Sequence, residues 1–341
     1  MGSRLLIFKV IQLGDNVVFL PLVQELARSQ MFSSIELWTT PLAEPLYDSN
    51  LPGVTRKIIS RPEFNAAWKN PLKILPLVSR VRRIGATHCL IPHDQGNTAH
   101  LLALASGIPH RIGSRPHFLK VPGSVTDLIS YEDNLPAAER AWALGCRLAA
   151  NLGRPWPDLP PPPDVSHLLK ESAARSFDFL IHPGASLEYQ RWLPERFFLL
   201  AKQLSRSFRV GWLESEIPLP DFAGSTVEVI RTPDLSSLVS SLAASRVFIG
   251  NNSGPMHLAS ALGVPSLIFC GPSHPIWNPY WNKDRFLLLR KESLPCIGCD
   301  PSSGPLNHCT NPEFPLGCMK SWSVEDVARM AIEWINKPFK S

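Results

Sequence analysis

Phe248-Ile249-Gly250-Asn251-Asn252-Ser253-Gly254-Pro255-Met256-His257-Leu258-Ala259-Ser260-Ala261-Leu262-Gly263-Val264-Pro265 is the stretch that decides the fold. Its apolar start, 247–249, reads as a short β-strand. A polar, glycine-containing turn follows. The Ala/Leu-rich run over 256–262 then reads as a helix. A strand that feeds through such a turn into a helix is the repeating unit of an open parallel sheet. The turn is also where anions bind, because its backbone N–H groups and the helix N-terminus both carry partial positive charge. Asn252, Ser253, Gly254, Pro255, Met256 and His257 are therefore candidate ligand contacts. For His257 a purely structural helix position is the competing reading.

The same alternation runs outward in both directions. Strands are predicted at 5–8, 35–39 and 88–92, with helices at 17–28, 72–83 and 98–105. Pro155-Trp156-Pro157-Asp158-Leu159-Pro160-Pro161-Pro162-Pro163 then interrupts the pattern, because proline fits neither a helix interior nor a central strand. Beyond it the alternation restarts: strands at 177–182, 210–213, 227–230, 247–249 and 266–269, helices at 195–206, 235–244 and 256–262. Ser323 with Asp326 resembles a capping box and opens a last helix. Strand–helix alternation predicts doubly wound parallel sheets. The expected organisation is an N-terminal domain over 1–160, a second over 161–322, and a C-terminal helix over 323–341 packing back on the N-terminal domain.

A chain of 341 residues that is 44% hydrophobic and 18% charged is long enough for two globular domains. No apolar run approaches the roughly 18 residues that span a membrane. The start of the chain has neither a signal-peptide core nor a cleavage site, so a cytoplasmic location is expected. The net charge of +5 is too mild to argue for nucleic acid. Its concentration in the N-terminal half suits either an ordinary surface, an anionic acceptor or peripheral contact with an inner membrane.

The run Asn-Ser-Gly-Pro-Met-His-Leu-Ala-x-Ala-Leu-Gly-x-Pro, followed by Cys270-Gly271-Pro272-Ser273-His274-Pro275, resembles the nucleotide-sugar motif of family 9 glycosyltransferases, the heptosyltransferases. The resemblance is densest over 5–27, 93–115, 182–198 and 247–275. It implies an α/β GT-B fold, two Rossmann-like domains facing across a cleft. It further implies an inverting transfer from an ADP-sugar donor, ADP-heptose above others, to a lipid-A-linked core oligosaccharide. The C-terminal domain would hold the nucleotide and the N-terminal domain the acceptor. The family commonly carries Asp where this chain has Asn252, and Asn donates and accepts but has no charge.

Gly14-Asp15 reads as closing the first strand–helix loop, at the carboxyl end of a strand where ligands bind. The resemblance makes Asp15 the general base, and transfer to a hydroxyl needs a carboxylate to take its proton. A helix cap is the plainer reading, and the two are compatible. On the donor side, His182-Pro183-Gly184-Ala185-Ser186 is a second phosphate-type turn. Ala185 and Ser186 would hold diphosphate oxygens. The family's usual Lys two places before Trp192 is Gln190 here. That leaves Arg191 as the cation, and a guanidinium chelates phosphate bidentately. Trp192 itself reads as core. Glu214 and Glu216 lie where the family has an acidic residue that reaches the ribose. On the acceptor side, Asp94, Asn97, Arg111 and Arg115 sit in 93–115, where Gly-Ile-Pro-His-Arg-Ile-Gly looks like the heptosyltransferase II branch. A structural polar loop is the alternative there.

Cys296, Cys299, Cys309 and Cys318 fall in a C-x2-C-x9-C-x8-C pattern. Four thiols suit a tetrahedral structural zinc or iron. Reduced thiols or, less compatibly with a cytoplasmic protein, disulfides are the alternatives. The cluster is expected to fix the loop before the last helix and to stay out of the chemistry, which needs no catalytic metal. Three rival functions remain open. A nucleotide-sugar epimerase would share the fold. A dinucleotide oxidoreductase is disfavoured by the lack of Gly-x-Gly-x-x-Gly in the first turn. A non-catalytic envelope-assembly partner would have no use for Asp15.

Overall fold

In the computed structural model, residues 2–47, 51–114, 120–170, 176–301 and 306–339 are described. The chain divides into two compact units, Met1–Pro163 and Asp164–Ser341. The division falls at the end of the proline run, just beyond the expected 160.

The first unit comprises β1 (Arg4–Lys9), α1 (Leu13–Ser29), β2 (Ser34–Thr39), β3 (Val54–Ile58), α2 (Arg61–Ala67), α3 (Pro71–Ile84), β4 (His88–Ile91), α4 (Asn97–Ala105), β5 (His110–Gly113), β6 (Asp127–Leu128) and α5 (Ala137–Asn151). Its strands lie in the order β3-β2-β1-β4-β5-β6. Neighbours are parallel, with Leu5 opposite both Ile35 and His88. All four β4 residues, and every β1 residue after Arg4, are buried, as expected of strands covered on both faces. Phe8 packs edge-on to Trp38 at 5.5 Å and lies 5.9 Å from Phe64, fixing the sheet against α2. Gly145 lets α5 approach closely, since a Cβ there would stand 2.4 Å from the Trp156 ring and 2.7 Å from Leu22.

The second unit comprises β7 (Phe177–His182), α6 (Pro194–Leu204), β8 (Val210–Leu213), β9 (Glu228–Ile230), α7 (Leu235–Ala243), β10 (Ser245–Asn251), α8 (Gly254–Leu262), β11 (Ser266–Phe269), β12 (Phe286–Leu289), α9 (Gly317–Lys320) and α10 (Val324–Ile335). Read from the other edge, its order β9-β8-β7-β10-β11-β12 repeats that of the first sheet. Trp192 is core: it stacks on Phe269 at 4.4 Å and meets Phe197 edge-on at 4.9 Å. Ser323 caps α10 by accepting the Asp326 amide, and it donates back to the Asp326 carboxylate. The apolar face of α10 is part of the second unit's core through Val327, Ala328 and Ala331. Among the described residues no helix is long and apolar enough to cross a membrane.

Candidate functional site

In each sheet the connections run in opposite directions from the middle pair of strands, and ligands bind such sheets at the carboxyl ends of that pair. In the first unit the pair is β1 and β4. Lys9 ends β1 and Asp94 follows β4. The two form a buried ion pair. Gln95 donates to Asp94 at 2.9 Å and accepts the Val10 amide at 3.3 Å, so the turn is tied to β1. Burial works to raise the Asp94 pKa, but Lys9, His93 and the Gln95 bond hold it below the ordinary carboxylate value.

Asp15 lies inside the first turn of α1, which begins at Leu13, not in the loop the sequence suggested. Its carboxyl is pushed up to about 6, chiefly by burial and then by the Asp94 charge, against the pull of Lys9 and Arg61. Such a group is ionised at neutral pH yet basic enough to accept a proton. The helix start is held by Asn16, whose amide donates to Gln12 O at 2.8 Å and whose oxygen accepts from Tyr47 at 2.8 Å. The N-cap position, Gln12, makes no side-chain hydrogen bond, and the Asp15 carboxylate itself accepts a backbone amide in this first turn, so the capping reading stands beside the catalytic one.

Beside this pair opens a pocket of about 240 Å³ lined in part by Arg61, Asn65, Trp68, Asp94, Gln95 and Asn97. Arg61, Asn65 and Trp68 were missed by the sequence reading. Ser60-Arg61-Pro62-Glu63 is a helix-start pattern that could have found them, and Ser60 does accept the Glu63 amide. Asn97 opens α4 and accepts the Lys120 amide at 2.7 Å. Arg111 is not in a loop: it lies in β5, and its guanidinium donates to the carbonyls of Ser124 (2.8 Å), Gly123 (3.1 Å) and Ile108. It staples one loop to the sheet and has those donors engaged. Arg115 lies outside the described residues.

In the second unit the middle pair is β7 and β10. Asn251, fully buried at the end of β10, joins their two turns. It accepts the Trp192 amide at 2.9 Å and donates to Pro183 O at 2.8 Å. The residues 252–255 that follow are half-buried, and α8 starts at Gly254, two residues earlier than predicted. Ser253 is its N-cap position, and Asn252 lies against the Cys270 thiol. Met256 is wholly buried, so only its backbone faces the turn. Burial alone pushes the His257 pKa down to about 4, so this imidazole is neutral.

Ser186 is exposed at the first turn. Arg191 sends Nε and Nη2 to Ala185 O at 2.9 and 2.7 Å, and Nη2 to Glu216 at 2.8 Å. The same Glu216 oxygen accepts the Ala185 amide at 3.1 Å. Glu216 is thus at the turn, while Glu214 pairs with Arg231 at 3.4 Å on the β9 side. Gln190 does not aim at the turn; it donates to Asp300 at 3.0 Å.

Residues 98–305 match the model of the family described as glycosyltransferase family 9 (heptosyltransferase). The chain belongs to glycosyltransferase family 9. A lipooligosaccharide heptosyltransferase 2 of Campylobacter jejuni is 27% identical over 163 residues, 44% of this chain. The match spans only 49% of that relative's length. The solved E. coli ADP-heptose lps heptosyltransferase II superposes with a TM-score of 0.68 at 21% identity, covering 98% of each chain. The iron-containing dodecameric glycosyltransferase TibC of enterotoxigenic E. coli gives a TM-score of 0.60 at 15% identity, over 98% of this chain and 76% of that one. The fold is the α/β GT-B fold of these family 9 structures.

In this family 9 chain all seven cysteines are free, so the disulfide alternative falls away. The Cys318 thiol is pushed up to about 11 by burial and then by Cys299, Cys309 and Cys296, so the four thiols share one neighbourhood. Yet among the described residues no group of three or more His, Cys, Asp or Glu side chains is set to hold a metal. Two protein donors are aimed at these sulfurs: Asn311 Nδ2 donates to Cys296 Sγ at 3.3 Å and the Leu316 amide to Cys309 Sγ at 3.2 Å.

Proposed function

We propose that this family 9 member is an inverting glycosyltransferase that moves a heptose, or a related sugar, from an ADP-sugar to a lipopolysaccharide-core or similar glycan acceptor. The observation that carries the reading is Asp15, a carboxylate with its pKa raised to about 6 beside a buried Lys9–Asp94 pair at a strand's carboxyl end. In the proposed step an acceptor hydroxyl oxygen bonds to the anomeric carbon as the bond from that carbon to the diphosphate breaks. Asp15 takes the hydroxyl proton and ADP leaves. A single displacement inverts the anomeric centre.

The leaving diphosphate would meet the amides of Ala185 and Ser186, the Arg191 guanidinium and the N-terminus of α8. Together these stabilise developing charge without a catalytic metal. Asn252, Ser253 and His257 would contact the sugar or phosphate as neutral groups. Asp94, Asn97 and the pocket with Arg61 and Trp68 would take the acceptor, with the protein on the cytoplasmic side of an inner membrane. A structural metal at Cys296, Cys299, Cys309 and Cys318 belongs to the same proposal. Its support is the grouping of the thiols and the amide aimed at Cys309, since N–H groups directed at sulfur favour thiolate ligands. The experiment is a donor screen by binding calorimetry with ADP-heptose, ADP-glucose, UDP-sugars and NAD. Heat with the ADP-sugars alone is expected, and preference for a UDP-sugar or NAD would overturn the donor assignment.

A further inference from the structure

Tyr189 and Gln190 belong to a 3₁₀ turn, Glu188–Gln190, that links Ser186 to Arg191. Both are held by one carboxylate from far along the chain. The Tyr189 hydroxyl donates to Asp300 Oδ1 at 2.6 Å and Gln190 Nε2 to Oδ2 at 3.0 Å. The Leu306 amide also donates to Oδ1, at 3.0 Å. The Asp300 amide in turn donates to Pro272 O at 2.9 Å, in the turn after β11. Asp300 is only 4% exposed, and among the described residues no cation pairs with it. A buried carboxylate is tolerable there because three neutral donors satisfy it.

Asp300 follows Cys299 directly, so the cysteine segment is tied to the candidate donor turn. That revises the expectation that the segment stands apart from the chemistry. We infer that Asp300 is a positioning residue for donor binding: it holds the Tyr189–Gln190 turn, and so sets where Arg191 meets Ala185. The inference rests on the proposed donor site. Asn keeps the oxygen facing Tyr189 and Leu306 but not the charge, and it holds Gln190 only if Gln190 turns its amide over, so the charge-assisted bonds that fix the turn are weakened.

The test compares ADP binding by calorimetry in Asp300→Asn and Arg191→Ala, with donor and acceptor KM. Both variants should weaken ADP about tenfold or more, from lost or misplaced charged hydrogen bonds. Donor KM should rise in Asp300→Asn while acceptor KM and the pH profile stay put. Normal ADP affinity in Asp300→Asn with weakened binding in Arg191→Ala would overturn the inference alone. Normal affinity in both would overturn the donor site beneath it. An equal rise in both KM values would show a general packing role and also overturn it. If Asp300→Asn does not fold, Tyr189→Phe, which removes the bonds to Asp300 and from the Asn307 amide, and Gln190→Ala, which removes the bond to Asp300, decide the matter: a few-fold weakening of ADP supports the inference, and no change overturns it.

Discussion

Lys9 holds Asp94 in a buried ion pair, and Asp15 lies in the field of both. Removing one partner of a buried pair typically costs about 3–5 kcal/mol, because the other charge is stranded. Lys9→Met should show that loss in urea unfolding and should move the acid limb of kcat/KM upward, since Lys9 works to lower the Asp15 pKa. Lys9→Met combined with Asp94→Asn should recover much of the stability. Equal loss in the single and double variants would mean the pair is not the source.

Asp15→Asn should keep ADP affinity and lower turnover by about 10²–10⁴. In the parent, kcat/KM should rise with pH through about 6 and then level, because only the ionised carboxylate accepts a proton. The Asn variant should lack that limb. Stability carries the opposite sign. A carboxyl whose folded pKa is raised favours the fold while protonated and loses that advantage as pH rises through about 6. The Asn variant should therefore gain in Tm relative to the parent above that pH.

Arg191→Ala should weaken nucleotide-diphosphate binding about tenfold or more while leaving acceptor KM nearly unchanged. His257→Ala should cost less, since its imidazole is neutral at physiological pH. Calorimetry with ADP orders the two.

His93, His182 and His257 each have a pKa pushed down to about 4 by burial, against an ordinary value of 6.5. The unfolded chain takes up protons below pH 6.5 that the fold refuses. Stability is therefore full above that pH and falls as pH drops toward 4. A Tm series across this range should slope downward toward acid. The slope should be shallower in a His257→Gln variant that folds.

Elemental analysis of protein purified without chelator tests the cysteine segment. About one zinc or iron per chain is expected, with loss of metal and a lower Tm on Cys309→Ser. Metal far below one per chain, with four titrating thiols, would reject it. Because Asp300 adjoins Cys299, the Cys309→Ser variant should also bind ADP less tightly.

Strands buried on both faces were legible: the predicted 210–213 and 266–269 match β8 and β11. β3 was not, because Val-Thr-Arg-Lys-Ile is a half-exposed edge strand without a clean apolar run. β5 was hidden inside Gly-Ile-Pro-His-Arg-Ile-Gly, which reads as a loop. Gly113 is there because a Cβ would stand 2.4 Å from Ile91 O, which single-sequence periodicity does not reveal. In the candidate site, Asp15, Ala185 and Asn252 were legible as candidates because they follow strands. Asn251 and Asp300 were not, since a joint between two turns is visible only once distant residues meet.

The Glu216 carboxylate already occupies the amide of Ala185 and the guanidinium of Arg191. An anion arriving at this turn displaces another anion, not water alone. Its affinity is then a difference between two charge-assisted contacts, and only the surplus over Glu216 is felt as binding. A ligand with a single anionic group gains little from the exchange. One that offers several phosphate oxygens together, and reaches the amides of 185–186 and α8 at once, gains a great deal. If this turn is the donor site proposed above, its own carboxylate sets a threshold that favours a diphosphate over smaller anions.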